Sequence, residues 1–291
     1  MTIGSPRPFV TDRGRGTPVL LVHGQPGLGR DWDLVAERLP SHRLVVPDRP
    51  GYGRSKGEAI GIEDSAELMA QVLVERDAAP AVVVGHSYGG GIAILLAARH
   101  AALVSGLVLV GSIGRADSVN GLDRVLALPL VGEAFSAAGL FTLGHVLPRV
   151  RRVAETRDHP TFAWLRASLP DTRYVDVASR LGRRVWRSFV AEQRTLLREI
   201  GTVEEALPDV RTPTVVVSGS WDLVVAPSVS ASIAAAIGGA ELVTVAGVGH
   251  FVPRDAPEVV ASAVRRVEAR ASTPSCSGPE AGPHGEAGSG A

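Results

Sequence analysis

The sequence predicts an α/β fold with a mostly parallel central sheet flanked by helices. Three observations carry that prediction. Short aliphatic runs alternate with longer stretches of helix-forming residues along most of the chain. The short runs are apolar throughout rather than alternating with polar residues, as strands covered on both faces are. One of them, Val82-Val83-Val84, breaks into Gly85-His86-Ser87-Tyr88-Gly89-Gly90 and then at once into good helix formers.

Each element follows in order. Thr17-Pro18-Val19-Leu20-Leu21-Val22 reads as a buried strand, and residues 31–39 as a helix. Leu44-Val45-Val46 is the next strand, ending at Pro47-Asp48. Residues 62–76 are helical: Ile62, Ala66, Met69 and Leu73 fall on one face, with Asp64 and Glu67 in the first turns. The strand before Ser87 and its helix come next, then Leu107-Val108-Leu109-Val110. After a long gap, Thr214-Val215-Val216-Val217 and Leu242-Val243-Thr244-Val245 resume the pattern. A last helix over residues 257–271 aligns Val260, Val264 and Val267. In such a sheet, ligand chemistry belongs at the carboxyl ends of the strands.

Composition narrows the function. A chain of 291 residues, 45% hydrophobic, holds one large α/β domain with an insertion or two modest domains. Its 30 basic and 30 acidic residues cancel, so neither nucleic acid nor an anionic membrane is an expected partner. The single cysteine, Cys276, excludes an internal disulfide. The first sixteen residues hold Pro6, Pro8, Gly14 and Gly16 and no apolar signal region, so a cytoplasmic location is expected. Residues 125–147 carry only Glu133 and His145 as ionisable groups, but Pro129, Gly132, Gly139 and Gly144 interrupt them, which argues against a membrane span. The histidines outside the strand ends show no metal-ligand spacing, and neither a metal nor a cofactor is expected.

The chemistry-bearing residues stand at the strand ends. Gly85 and Gly89 remove the Cβ atoms that would clash in so sharp a strand-to-helix turn and force Ser87 outward at its apex. The strand at 214–217 ends in Ser218-Gly219-Ser220-Trp221-Asp222, and that at 242–245 in Ala246-Gly247-Val248-Gly249-His250. A serine, an aspartate and a histidine thus follow three buried strands, in the order expected when they meet above an open α/β sheet.

With these residues in view, the sequence resembles the α/β-hydrolase family over roughly residues 17–271. His23-Gly24-Gln25-Pro26-Gly27, Asp48-Arg49-Pro50-Gly51-Tyr52-Gly53-Arg54-Ser55, the Ser87 turn, Gly219-Ser220-Trp221-Asp222 and Gly249-His250-Phe251 each look like a family block, in the family's order. A serine hydroxyl needs a base as it attacks a carbonyl, and His250 suits that role. Asp222 would fix the tautomer of His250 and stabilise the imidazolium. The resemblance implies backbone N–H donors for the oxyanion at Gln25 and Tyr88. His86 points to the opposite face from Ser87, and His23 supports the loop around it; both read as structural. Asp48 and Arg49 are expected to tie loops together, and Trp221 to pack beside Asp222.

The resemblance also divides the chain: an α/β-hydrolase core over 1–112 and 206–271, a helical cap over 113–205, and a disordered tail over 272–291. The first half of the cap is apolar, with Phe135 and Phe141 the bulkiest candidates to line a pocket. The second half is arginine-rich from Arg180 to Arg198, most simply a solvated face. Relatives spend more residues on strands before the first block, so the N-terminal edge is expected to be shortened to one strand near residues 8–12, leaving an edge open to homodimer pairing. The implied function is a serine hydrolase acting on a small-molecule substrate, a mainly apolar ester, lactone or related carbonyl. Two alternatives stay open: a non-hydrolytic relative (ligand receptor, lyase or cofactor-free perhydrolase), or a carbon–carbon bond hydrolase acting on a carboxylated diketo substrate.

Overall fold

The structure, a computed structural model, describes residues 7–142, 146, 149, 150, 152, 153, 156 and 185–272. Seven strands form one sheet: β1 (Phe9–Gly14), β2 (Pro18–Val22), β3 (Arg43–Asp48), β4 (Ala81–His86), β5 (Val104–Val110), β6 (Thr214–Gly219) and β7 (Glu241–Val245). Their spatial order is β1-β3-β2-β4-β5-β6-β7. All neighbours are parallel except β1, which pairs antiparallel with β3 from Phe9 opposite Asp48 to Gly14 opposite Arg43. The single edge strand expected at the N-terminus is therefore present.

The apolar runs explain the layering. Along β2, Leu20 and Val22 enter one core while Val19 and Leu21 enter the other. The same split recurs on β5, where Leu107 and Leu109 oppose Val108 and Val110. A strand covered on both faces has no use for polar residues, so its sequence is continuous Val and Leu. The first core is closed by helices Ile62–Glu75, Tyr88–Arg99 and Pro227–Ala236, and the second by helix Pro257–Ser272 with Trp32 and Val35.

Several boundaries differ from expectation. The helix predicted over 31–39 is a 3-10 turn, Gly29–Trp32, followed by one short α-helical turn, Asp33–Ala36. Helix Pro227–Ala236 was not legible, because Ser and Ala fill most of it and only Val229 and Ile233 mark a buried face. The final helix runs through Ser272, the first residue of the expected tail; the rest of that tail, 273–291, lies outside the described residues. Between β5 and β6 the described helices Gly121–Ala127, Val131–Phe141 and Val185–Ala206 pack on one another, and the last of them also packs on helices Ile62–Glu75 and Tyr88–Arg99. Among the described residues no helix is long and apolar enough to cross a membrane. Phe135 and Phe141, the bulkiest candidates to line the cap pocket, are 60% and 59% exposed.

Candidate active site

Ser87 sits where β4 becomes helix Tyr88–Arg99, with φ 54° and ψ −121°, a conformation that L-residues rarely adopt. The turn is possible only with glycine beside it. A Cβ on Gly85 would lie 2.4 Å from the Gly89 carbonyl oxygen, and one on Gly89 would lie 2.4 Å from that of Val22. Ser87 donates its amide to the Val110 carbonyl at 3.0 Å, which fixes the apex against the end of β5.

The other two candidates pair directly. His250 Nδ1 lies 2.8 Å from Asp222 Oδ2, and both residues are buried. Asp222 Oδ1 accepts from the amides of Val224 at 2.9 Å and Val225 at 2.8 Å, so the loop after β6 holds the carboxylate in place. Gly111, at φ 47°, passes beside the pair: a Cβ there would lie 3.2 Å from Asp222 Oδ2 and 3.3 Å from His250 Nδ1. The serine's neighbour His86 bridges toward them. Its ring centroid is 4.9 Å from that of His250, and its Nε2–H donates to the His250 carbonyl at 3.0 Å. Burial first, and then the nearby His250, push the His86 imidazole down to about 3, so it is neutral. Among the described residues, Ser87 Oγ and His250 share no hydrogen bond. Trp221 departs from its expected packing role, being 70% exposed.

The turn after β2 lies beside the serine: a Cβ on Gly24 would be 3.0 Å from Ser87 Cβ. Among the described residues, neither the Gln25 nor the Tyr88 amide has a protein acceptor. The residues behind that turn form a buried network. The Arg49 amide donates to His23 Nε2 at 2.9 Å, which leaves His23 Nδ1–H to donate to the Gly24 carbonyl at 2.8 Å. Burial holds His23 well below the usual imidazole range, and the Arg49 charge adds to the effect. The Arg49 guanidinium donates to the carbonyls of His23 at 3.0 Å and Gly24 at 2.9 Å. It also pairs with Glu192, on helix Val185–Ala206, and both side chains are 1% exposed. Tyr52 donates to the same carboxylate at 2.6 Å. Burial pushes the Glu192 carboxyl up, against the pull of Arg49.

Asp48 holds the neighbouring loops, accepting from Gly29 N–H at 2.8 Å and Arg54 N–H at 2.9 Å, which agrees with its expected role. Glu192 was missed. In the sequence it is one polar residue on a polar helix, and nothing marks its partner 143 positions away. Of the arginines singled out in that stretch, Arg187 and Arg198 are exposed, while Arg194 reaches Glu133 at 2.6 Å and the Ala127 carbonyl at 3.0 Å. Residues 180–184 lie outside the described residues.

A doubly covered parallel sheet, with a strained serine turn and a histidine–aspartate pair at its carboxyl edge, defines a hydrolase of the α/β class. The chain belongs to the alpha/beta hydrolase family, whose model matches residues 19–263. It is similar to lipase LipV of Mycobacterium tuberculosis, 30% identical over 259 residues that cover 85% of this chain and 91% of that protein. A stretch of 126 residues is 36% identical to a 2-hydroxymuconate semialdehyde hydrolase of a Pseudomonas species, covering 39% of this chain and 43% of that enzyme. Among solved structures, a thermophilic esterase from Thermogutta terrifontis superposes with a TM-score of 0.69 at 24% identity, over 94% of this chain and 97% of that one.

Proposed function

We propose that the protein is a serine hydrolase of small, mainly apolar esters or lactones. Ser87 is its nucleophile, His250 its general base, and Asp222 the carboxylate that orients the base. The observation that carries this reading is the buried 2.8 Å contact between His250 and Asp222, with Ser87 held at positive φ and its chain neighbour His86 4.9 Å from the His250 ring. Asp222 accepts a hydrogen bond from His250 Nδ1–H and so leaves Nε2 free to take the Ser87 proton as Oγ attacks the carbonyl carbon. The carbonyl electrons move to oxygen, and that oxyanion is met by the amides of Gln25 and Tyr88. His250 returns the proton to the departing alcohol, leaving an acyl-serine. A water molecule, deprotonated by the same imidazole, then releases the acid and restores Ser87. The described helices between β5 and β6, Gly121–Ala127, Val131–Phe141 and Val185–Ala206, belong to a cap over this site.

The lipase name of the full-length relative supports ester chemistry. The partial likeness to a 2-hydroxymuconate semialdehyde hydrolase keeps carbon–carbon cleavage as the competing reading, and that substrate class calls for a free cation to hold a carboxylate. Among the described residues, Arg49 is paired with Glu192 and Arg194 with Glu133, which supports the neutral ester.

The test is covalent labelling. A fluorophosphonate probe should modify the wild-type protein at Ser87 and leave Ser87→Ala unmodified, with hydrolysis of nitrophenyl butyrate lost in parallel. Equal labelling of the two proteins, or none of the wild type, would remove the nucleophile from the scheme.

A further inference from the structure

Arg49 touches none of the three residues assigned to the reaction, yet it grips the peptide group that supplies half of the oxyanion site. Gln25 N–H belongs to the same planar amide as the Gly24 carbonyl, and that amide is trans. Whatever fixes the carbonyl on one side therefore fixes the N–H on the other. The Gly24 oxygen accepts two hydrogen bonds, from His23 Nδ1–H at 2.8 Å and from the Arg49 guanidinium at 2.9 Å. A third bond, Arg49 to the His23 carbonyl at 3.0 Å, holds the preceding peptide. Hydrogen bonds accepted at a carbonyl, above all from a charged donor, also polarise the amide and strengthen its N–H as a donor.

The guanidinium is in turn fixed from outside the core. Glu192, on helix Val185–Ala206, takes two of its N–H groups, and Tyr52 supports that carboxylate at 2.6 Å. The faces of Tyr52 and Tyr88 enclose Arg49, with its charged carbon 5.0 and 4.9 Å from their ring centroids. The same helix also reaches helix Tyr88–Arg99, where Thr195 Oγ1 lies 2.9 Å from the Tyr88 hydroxyl. Both residues that present an oxyanion amide are thus tied to one cap helix, Tyr88 by its own side chain and Gln25 through Arg49.

We propose that Arg49 is the positioning residue of the oxyanion site. It aims and polarises the Gln25 amide, and Glu192 makes that aim depend on the seating of helix Val185–Ala206. This rests on the serine-hydrolase reading above, but the clamp itself can be measured without catalysis. Structural stability and positioning separate in the right variants. Removing Arg49 alone would strand a buried carboxylate, whereas Arg49→Met/Glu192→Met removes both charges and retains volume. Arg49→Lys keeps the charge opposite Glu192 but has no planar fork to span it and both carbonyls.

In the double variant we expect a melting temperature near the wild type and a KM within threefold. Its kcat for nitrophenyl butyrate should fall about 100-fold, the scale of a misplaced or missing oxyanion donor. Hydrogen exchange should accelerate tenfold or more in the peptide over residues 23–32 and stay unchanged in β4. Arg49→Lys should show the same loss of kcat, which keeps the question answerable should the double variant not fold. Wild-type kcat in either folded variant, or wild-type exchange in the peptide over residues 23–32, overturns the proposal. If the wild type itself takes no fluorophosphonate label, the hydrolase reading fails, and the exchange measurement still decides whether Arg49 holds the Gln25 amide.

Discussion

Asp222 commits both carboxylate oxygens to fixed partners, one to two backbone amides and one to the imidazole of His250. Replacing it by asparagine puts an N–H where an acceptor stood, and His250 then takes the wrong tautomer for a base. Asp222→Asn should therefore lower kcat by on the order of 10⁴-fold, the scale of that change in a known triad, while the fold is kept. Asp117 also follows a strand and provides the control. Its side chain is 55% exposed and among the described residues meets Arg115, at 3.6 Å, so Asp117→Asn should leave kcat within about twofold. Steady-state kinetics on the two variants decides the point, and a reversed pattern would move the acid elsewhere. At this scale the sequence was informative wherever a residue follows a strand within a short glycine-bearing turn, as Ser87, Asp222 and His250 do. It was silent on Glu192, whose role depends on a tertiary approach between a loop and a helix far apart in the chain.

Among elements, the segment from β2 to the first 3-10 turn carries a titration of its own. Asp31 accepts the Leu28 amide at 2.8 Å and lies in a packed corner, where burial above all raises its carboxyl to about 6. In the unfolded chain the same group ionises near 3.8, so between these values the folded protein holds the extra proton. Its contribution to stability is therefore complete below the unfolded value and is lost as pH rises through about 6. Asp31→Asn keeps an acceptor for Leu28 and abolishes the charge. It should melt a few degrees above the wild type at pH 8, and the gap should close as the pH approaches 4. Thermal melts across that range test this, and a constant gap at every pH would contradict it. The same segment shows why helices were less legible than strands. The run over residues 31–39 has a helical pattern, yet Trp32 is drawn into the second core and the chain tightens into a 3-10 turn instead. Helix Pro227–Ala236 gave the opposite failure, forming on Ala and Ser with too few large residues to mark a face.

At the scale of the molecule, the sheet follows directly from its composition. Its central strands are short unbroken runs of mostly Val and Leu because both faces are covered, and such runs are visible without knowing their order in space. The insertion between β5 and β6 is different, since its sequence shows apolar and basic halves but not which side chains turn inward. Phe135 and Phe141 look outward for most of their area, so alanine at either position should leave substrate length preference unchanged. The substrate preference is instead expected to follow the charges around the site. Among the described residues, Arg49 is engaged by Glu192 and Arg194 by Glu133. An unpaired carboxylate brought into such a site would be desolvated without compensation. Neutral acyl chains gain about 0.8 kcal/mol per buried methylene, roughly fourfold in kcat/KM. On nitrophenyl esters, kcat/KM should accordingly climb from acetate through butyrate to hexanoate and fall once the chain outgrows the cap. Succinate half-esters should lag behind butyrate. If a carboxylated ester or a dienoic diketo acid instead outruns every neutral ester tenfold, about 1.4 kcal/mol in the barrier, a cation must face the substrate and the apolar reading of the pocket fails.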